Sequence, residues 1–285
     1  MSMCTRRLAV AALFGGAAAI SYGQEQVFVC PMDPDVRSNT EGVCEKCGMK
    51  LVSGIPDLAE YALDLKVTPP APKVNQPTDF EFVVRDPWKD RPVKKFQIVH
   101  EQLFHLFVVS QDMKFFVHDH PDYQEDGSFR YKMALPKSGM YRILGDFYPD
   151  GATPQLITKT VFVPGAPPEP VQLSKDYSLK KSENMEVELE TDPPQPIAHT
   201  KTMMFFKIKN AEGLEKLLGA WGHMLAASDD LIDMIHTHPF LADGGPNIQF
   251  NVIFPRAHNY RVWVQFQRLG VVNTVYFDVP VEDLH

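Results

Sequence analysis

The chain has 285 residues, of which 44% are hydrophobic and 22% are charged, and a formal net charge of −8 at pH 7. This length and apolar content allow two ordinary domains and a smaller one, each with a buried core. The acidic balance argues against nucleic acid as a partner, because phosphate contacts need clustered lysine and arginine side chains. Beyond one N-terminal apolar run, no stretch is long enough to cross a bilayer.

The N-terminus has the pattern of a secretory signal peptide. Arg6 and Arg7 precede an apolar run at residues 8–20, and small residues follow it up to Gly23. This run is short for a membrane span. We therefore expect residues 1–23 to be a signal peptide, the protein to be periplasmic or secreted, and no transmembrane segment to remain after cleavage. Retention of the run as an uncleaved anchor is the alternative.

Three cysteines follow in a compact pattern. Cys30 precedes Cys44 by a spacer of thirteen residues, and Cys47 follows after two more. Thiolates are soft ligands that prefer Cu(I), Ag(I) or Zn(II) to Mg or Ca, and the turn before Gly48 lets two of them point at one ion. A disulfide is the alternative, because export leads to an oxidising compartment. Three cysteines cannot all pair within one chain, however, which favours the metal site.

This segment resembles the small heavy-metal-binding domain of bacterial copper and silver efflux proteins, and we assign it to residues 24–55. The matching positions are Cys30, Pro31, Met32, Pro34, Gly42, Cys44, Cys47, Gly48, Met49 and Leu51. The resemblance implies a bound heavy-metal ion, Cu or Zn, held by the three cysteines with Met32 or Met49 as a further ligand. Asp33 stands where the family has histidine. As a ligand, its harder carboxylate would shift the preference towards Zn(II); otherwise Cu(I) remains favoured.

The rest of the chain is predicted to be mainly β, as two tandem antiparallel β-sandwiches at residues 56–164 and 165–285. About seven short runs of β-branched and aromatic residues occur in each unit, separated by turn residues and, between the units, by a proline-rich link. The expected strands are at residues 61–67, 80–85, 105–110, 115–118, 129–134, 141–147 and 157–163, and at residues 185–190, 203–209, 223–228, 231–236, 248–254, 260–266 and 274–279. Residues 211–219 carry leucines at helical spacing and predict one helix.

The second unit repeats the histidine pattern of the first. In each unit one histidine is followed, after twelve residues, by a His-x-His-Pro motif. The residues are His105, His118 and His120 in the first unit, and His223, His236 and His238 in the second. This shared spacing indicates a tandem duplication. The block is similar to a segment of secreted bacterial proteins of Ig-like or YtkA-like type, and the resemblance implies an extracytoplasmic, metal-associated protein.

If each histidine set lies on a β-hairpin, its geometry predicts a candidate site for Cu(II) or Zn(II). Two-residue turns after Ser110 and Ser228 would place the first histidine of each unit directly opposite the second, with the third diagonal on the same face. Three imidazoles could then reach one ion. Structural histidines that bond backbone groups or pack on rings such as Phe107 are the alternative. His100 precedes His105 by five positions, so a continued strand would turn it to the opposite face.

These features predict an exported heavy-metal-binding protein that captures or buffers copper, silver or zinc. We expect it to pass the ion to an efflux or other membrane-associated metal-transport partner. It is not expected to be an enzyme, since no paired carboxylates, nucleophile elbow or phosphate loop occur in the sequence. An interaction protein built from Ig-like domains, with the cysteine segment as a structural zinc clip, is the alternative.

Overall fold

The structure, a computed structural model, describes residues 28–33, 36–38, 40–53, 60–87, 90–150 and 152–284. The predicted signal peptide at residues 1–23 lies outside the described residues. Within the described residues all regular secondary structure is β-strand, which confirms the predicted mainly-β fold. The cysteine segment forms a small antiparallel sheet in the order β2–β1–β3. Its strands are β1 (Phe28–Val29), β2 (Arg37–Ser38) and β3 (Val52–Ser53).

The first sandwich packs two antiparallel four-stranded sheets around a core rich in phenylalanine. Its strands are β4 (Ala62–Thr68), β5 (Pro77–Arg85), β6 (Phe104–Ser110), β7 (Phe116–Asp119), β8 (Asp122–Tyr123), β9 (Ser128–Ala134), β10 (Gly139–Phe147) and β11 (Gln155–Val163). The sheet orders are β4–β5–β9–β8 and β11–β10–β6–β7. Buried and more exposed positions alternate along β5, so Phe80, Phe82 and Val84 point into the core.

The second sandwich repeats this arrangement with extra edge strands. Its strands are β12 (Lys180–Lys181), β13 (Glu186–Asp192), β14 (Lys201–Lys209), β15 (Leu214–Glu215), β16 (His223–Ser228), β17 (Met234–Thr237), β18 (Pro239–Leu241), β19 (Asn247–Ile253), β20 (Asn259–Arg268) and β21 (Val271–Pro280). One sheet has the order β12–β13–β14–β19–β18. The other runs β15–β20–β16–β17, with β21 also paired to β20.

The helix predicted at residues 211–219 is wrong. This segment contains the two-residue strand β15 and the start of a tight turn in which Leu217 and Ala220 exchange backbone hydrogen bonds. Gly213 and Gly219 both have φ of +77°, a left-handed conformation that interrupts a right-handed helix. The leucines therefore pack along an edge of the second sandwich instead of forming a helical stripe.

A third hydrophobic core lies between the two sandwiches, and strand β6 contributes side chains to it. This strand is buried over its whole length, since Leu106 and Val108 face its own sandwich while Phe107 and Val109 face the second one. The corresponding strand β16 is also buried throughout. A strand covered on both faces reads as a continuous apolar run instead of an alternating one. The interface is completed by Trp263, whose ring stacks on Phe116 with centroids 5.0 Å apart.

Two reciprocal hydrogen bonds show that this interface has approximate twofold symmetry. Arg142 of the first sandwich donates to the carbonyl oxygen of Leu231 in the second, at 3.0 Å. Arg261 of the second donates to the carbonyl oxygen of Met113 in the first, at 3.1 Å. Both carbonyls belong to the hairpin turns, and both turn residues have positive φ. Each sandwich thus presents the same patch to the other, as in an isologous dimer interface.

Candidate metal centres

The cysteine cluster is built by one strand end and one tight turn. Cys30 follows β1 directly, and its amide donates to the Val36 carbonyl. Cys44 and Cys47 lie in a turn closed by a hydrogen bond from Gly48 N–H to the Cys44 carbonyl at 2.8 Å. Gly48 has φ of +76°, which only glycine adopts without strain. The backbone alone therefore brings Cys30 close to Cys44 and Cys47.

The four polar side chains of this segment converge. One ligand atom from each of Cys30, Asp33, Cys44 and Cys47 lies within 4.8 Å of the others. The Cys30 and Cys47 sulfurs are 3.5 Å apart, and the Cys44 sulfur is 3.5 Å from Asp33 Oδ2. All three cysteines are free thiols, so the disulfide alternative is not adopted. Three sulfurs and one carboxylate form a donor set suited to a four-coordinate soft ion.

The two methionines occupy different places around this cluster. Met49 is 1% exposed and packs in a small core with Leu51, Val99 and Tyr148. Met32 is partly buried at the edge of that core, and its sulfur accepts a weak hydrogen bond from the Tyr148 hydroxyl at 3.8 Å. The cysteine segment is therefore packed against the first sandwich through Val99 and Tyr148.

The thiols differ in their readiness to ionise. The hydrogen bond from Cys47 lowers the pKa of Cys30 to about 6. The same interaction, with burial, raises the pKa of Cys47. Burial also raises the pKa of Cys44. One thiolate, shared with its neighbour, is therefore available at neutral pH, and an incoming ion must displace the remaining protons.

The three predicted histidines of the first sandwich do converge. His105 Nδ1 is 3.3 Å from His118 Nε2 and 3.1 Å from His120 Nε2. We call this set the first triad. The predicted pairing is wrong, because His118 lies opposite Phe107 and the turn after Ser110 contains four residues instead of two. A shift of two positions keeps each side chain on its face, so the triad forms despite the wrong register.

The second sandwich forms an equivalent set. His223 Nδ1 is 3.1 Å from His238 Nε2, and ligand atoms of His223, His236 and His238 lie within 4.8 Å of one another. We call this set the second triad. Here too the predicted pairing is wrong by two positions, since His236 lies opposite Leu225 and the turn after Ser228 is longer than expected.

The triads are adjacent across the interface between the sandwiches. The ring centroid of His105 is 5.5 Å from that of His236, and the ring centroid of His118 is 5.2 Å from that of His223. The side chains of His105, His223 and His236 are buried. Burial lowers the pKa of every triad histidine, to about 4 for His118. All six imidazoles are thus neutral at pH 7 and able to act as ligands.

A seventh imidazole, from His100, was not expected here. Its ring centroid is 3.7 Å from that of His238 and 5.5 Å from that of His223. The sequence argument failed because His100 has φ of 47°, so no strand continues from it to His105. The sequence did carry one signal for an interface at this point. Short continuous apolar runs flank His105 and His223, and such runs predict strands that are buried on both faces.

One cavity connects the two regions. It has a volume of about 440 Å³, and its walls include Met32, Asp33 and Cys47 from the cysteine cluster and His100 and His238 from the histidine cluster. A different group, Asp229, Asp230 and His258, also has ligand-like spacing. Asp230 is paired with Arg256, and Asp229 Oδ1 lies 2.9 Å from His258 Nδ1.

The fold and the cysteine cluster define a heavy-metal-binding segment followed by tandem Ig-like β-sandwiches. The chain belongs to the family described as a domain of unknown function, DUF8832, whose model matches residues 57–163 and 180–283. The model of the heavy metal binding domain matches residues 27–53, which confirms the predicted resemblance. No curated protein matches the chain.

Several solved structures are similar to this chain at low sequence identity. The Yersinia pseudotuberculosis adhesin InvE is 12% identical, with 77% of this chain and 60% of that chain covered and a TM-score of 0.26. The Escherichia coli adhesin FdeC is 14% identical, with 81% and 68% covered and a TM-score of 0.27. A two-domain fibronectin type-III segment of chicken tenascin is 10% identical, with 78% and 99% covered and a TM-score of 0.23. The chain thus spans 60% of the length of the first adhesin. Within the described residues, the chain has no helix that could span a bilayer.

Proposed function

We propose that this protein binds a soft heavy-metal ion, Cu(I), Ag(I) or Zn(II), as cargo at Cys30, Cys44 and Cys47. The observation that carries the proposal is the convergence of three free thiols and the Asp33 carboxylate within 4.8 Å, in a segment that matches the heavy metal binding domain. Thiolates at this spacing match the preferences of these ions and are poor ligands for Mg or Ca.

The cluster is suited to capture and release. The lowered pKa of Cys30 supplies a first thiolate at neutral pH, and the other thiols follow as the ion displaces their protons. Cys47 and Asp33 line the cavity, so an ion held there is reachable from one side. Such access allows an ion to leave by ligand exchange instead of being enclosed.

Export and transfer complete the proposed role. The N-terminal sequence around Arg6 and Arg7 supports secretion to the periplasm or the exterior. There the protein would buffer the ion and pass it to an efflux or other membrane-associated transport partner, without turning over a substrate. N-terminal sequencing of the protein recovered from the extracytoplasmic fraction tests the first part, with a new N-terminus near residue 24 expected.

Metal content per chain tests the binding proposal. The full mature protein, purified under reducing conditions, is loaded with Cu(I) or Zn(II), desalted and measured by elemental analysis. We expect about one equivalent at this cluster, and its loss in the double variant Cys44→Ser, Cys47→Ser. Glu45→Gln is the matched control, because it changes an exposed side chain of the same turn that is not among the converging groups. A double cysteine variant that holds as many equivalents of metal per chain as the parent protein would refute the proposal.

A structural zinc clip is the competing role. It is favoured by the packing of Cys30 and Cys44 in a small core with Val99 and Tyr148. Exchange kinetics separate the two roles, because a clip holds Zn(II) against a chelator until the segment unfolds. Release of the ion to a chelator while the fold, followed by circular dichroism, is retained indicates cargo.

A further inference from the structure

We propose that the two triads form one binuclear centre, shared by the two sandwiches, that takes two divalent ions of the Cu(II) or Zn(II) class. The second triad is the tighter of its two sites. This centre is separate from the cysteine cluster and has nitrogen donors in place of sulfur. It suits borderline ions that prefer imidazole over thiolate.

The hydrogen bonds around the first triad turn the unprotonated nitrogens of two of its rings towards each other. His105 Nε2 donates to the Val99 carbonyl, 3.1 Å away, and His118 Nδ1 donates to the Gln265 side-chain oxygen, 2.7 Å away. His105 Nδ1 and His118 Nε2 are then both unprotonated, although they lie 3.3 Å apart. Two facing lone pairs repel each other, and a cation between them removes that repulsion.

The second triad repeats this arrangement. His223 Nε2 donates to the Leu217 carbonyl, 2.9 Å away, and His236 Nδ1 donates to Asp146 Oδ2, 2.5 Å away. The remaining nitrogen, His236 Nε2, is buried and has no hydrogen-bond partner among the described residues. A buried unpaired nitrogen costs free energy unless something binds it. A metal ion bound by the triad would give this nitrogen its partner.

Each triad is oriented by the opposite sandwich. Gln265 of the second sandwich accepts a hydrogen bond from His118 of the first, and Asp146 of the first sandwich accepts one from His236 of the second. The two supports are equivalent in position, because Asp146 pairs with His105 and Gln265 pairs with His223 across neighbouring strands. Neither triad is therefore complete within its own sandwich, which makes the centre a property of the interface.

The two supports differ in chemical type, since one is a carboxyl group and the other an amide, and this difference ranks the sites. A carboxylate hydrogen-bonded to the distal nitrogen of a histidine ligand raises its basicity and adds a negative charge near the ion. The amide of Gln265 adds no charge. The second triad also has His100 beside it, whose Nε2 is buried with no hydrogen-bond partner among the described residues. A cavity lined by His100 and His238 gives an ion access to this site.

The ion count is tested in the full mature chain carrying Cys30→Ser, Cys44→Ser and Cys47→Ser. Removing the thiols prevents them from binding or reducing the probe, Cu(II), so a failed cysteine proposal and a failed binuclear centre give different results. We expect two Cu(II) per chain, and electron paramagnetic resonance of the loaded protein should show magnetic coupling between them. One ion, no ion, or two uncoupled ions in the folded protein would overturn the proposal. His199→Asn, which removes an exposed imidazole, is the control for surface binding.

The order of metal affinity of the two sites is tested by substituting the two side chains, Asp146 and Gln265, that support the triads. In the same cysteine-free background, Asp146→Asn should weaken the tighter site about 10- to 100-fold and leave the weaker site unchanged. Gln265→Glu should strengthen the weaker site about 10-fold, since it supplies the missing carboxylate. Asp150→Asn, at an exposed position, is the matched control. Should Asp146→Asn fail to fold, Gln265→Glu still decides, because its side chain is only partly buried. No change in the weaker site with Gln265→Glu would overturn the ranking.

Discussion

The cysteine cluster and the histidine triads are built by opposite strategies. All ligands of the cysteine cluster come from one short segment, and its key turn is closed by local hydrogen bonds and one glycine. The triads bring together residues far apart in sequence, and each depends on a support from the other sandwich. The cysteine cluster needs its own segment and the face of the first sandwich on which it packs, whereas an interfacial site needs two domains to be docked. The two sites should therefore respond differently to almost any perturbation.

Acidification should separate the two sites most strongly. The pKa values of Cys44 and Cys47 are raised, so both are protonated at neutral pH and must lose protons on binding. Two released protons make Ag(I) affinity fall by about 100-fold per pH unit above the pKa of Cys30, which is about 6, and a third proton makes the fall steeper below it. The pKa of His118 is about 4 and the pKa values of His105 and His120 are also lowered, so Zn(II) affinity at the first triad should change much less between pH 7.5 and 5.5. Competition titrations at several pH values provide the measurement, and parallel losses at both sites would contradict the assignment.

Loosening the interface should damage only the triads. Trp263 is 3% exposed and stacks on Phe116 of the first sandwich. Trp263→Ala should lower the free energy of unfolding by about 3–5 kcal/mol and weaken Cu(II) binding, while Ag(I) binding at the cysteines stays unchanged. Denaturant unfolding and metal titration of the same preparations measure both effects. Phe162→Ala, which removes a ring that is 65% exposed, is the control and should change neither.

A smaller loss is expected from the reciprocal arginine contacts. Arg142→Met keeps much of the aliphatic stem but removes the bond to the Leu231 carbonyl, at a cost of about 1.5–3 kcal/mol. The triads should bind Cu(II) more weakly, because their relative position is less firmly held. If Arg142→Met instead weakened Ag(I) binding to the same extent, the cysteine cluster would also depend on the interface.

Asp230→Asn supplies the weakest perturbation, away from both sites. Asp230 accepts hydrogen bonds from Ser228 and from the Ile232 amide and pairs with Arg256, and these contacts lower its pKa. A lowered pKa stabilises the fold above the unfolded value and loses that effect as pH falls through the folded one. The variant should lose about 1 kcal/mol near neutral pH, less in acid, and keep both metal affinities. Thermal unfolding across pH, with metal titrations at pH 7, checks this.

The same contrast explains what could be predicted from sequence. The Cys30–Cys47 pattern is local, so both its residues and their convergence were accessible, including the unusual Asp33. The triads were also accessible, because an error of two positions in register preserves the face of a strand. The docking of the two sandwiches could not be predicted, because Asp146 and Gln265 are polar residues whose hydrogen bonds to histidines form only across the interface. His100 was missed because its positive φ breaks the strand that the sequence argument assumed. The helix predicted near Gly213 is wrong because glycines in a left-handed conformation outweigh the helical spacing of the leucines.

The crossed supports also bear on ancestry. Two identical sandwiches associated as a symmetrical pair would carry the same residue at both supporting positions, so both ion sites would have to be equal. Joining the copies in one polypeptide removes that constraint, and this chain carries aspartate at one position and glutamine at the other. Tandem fusion thus allows a pair of twin sites to become a graded pair, with one partner specialised for retention and the other for exchange.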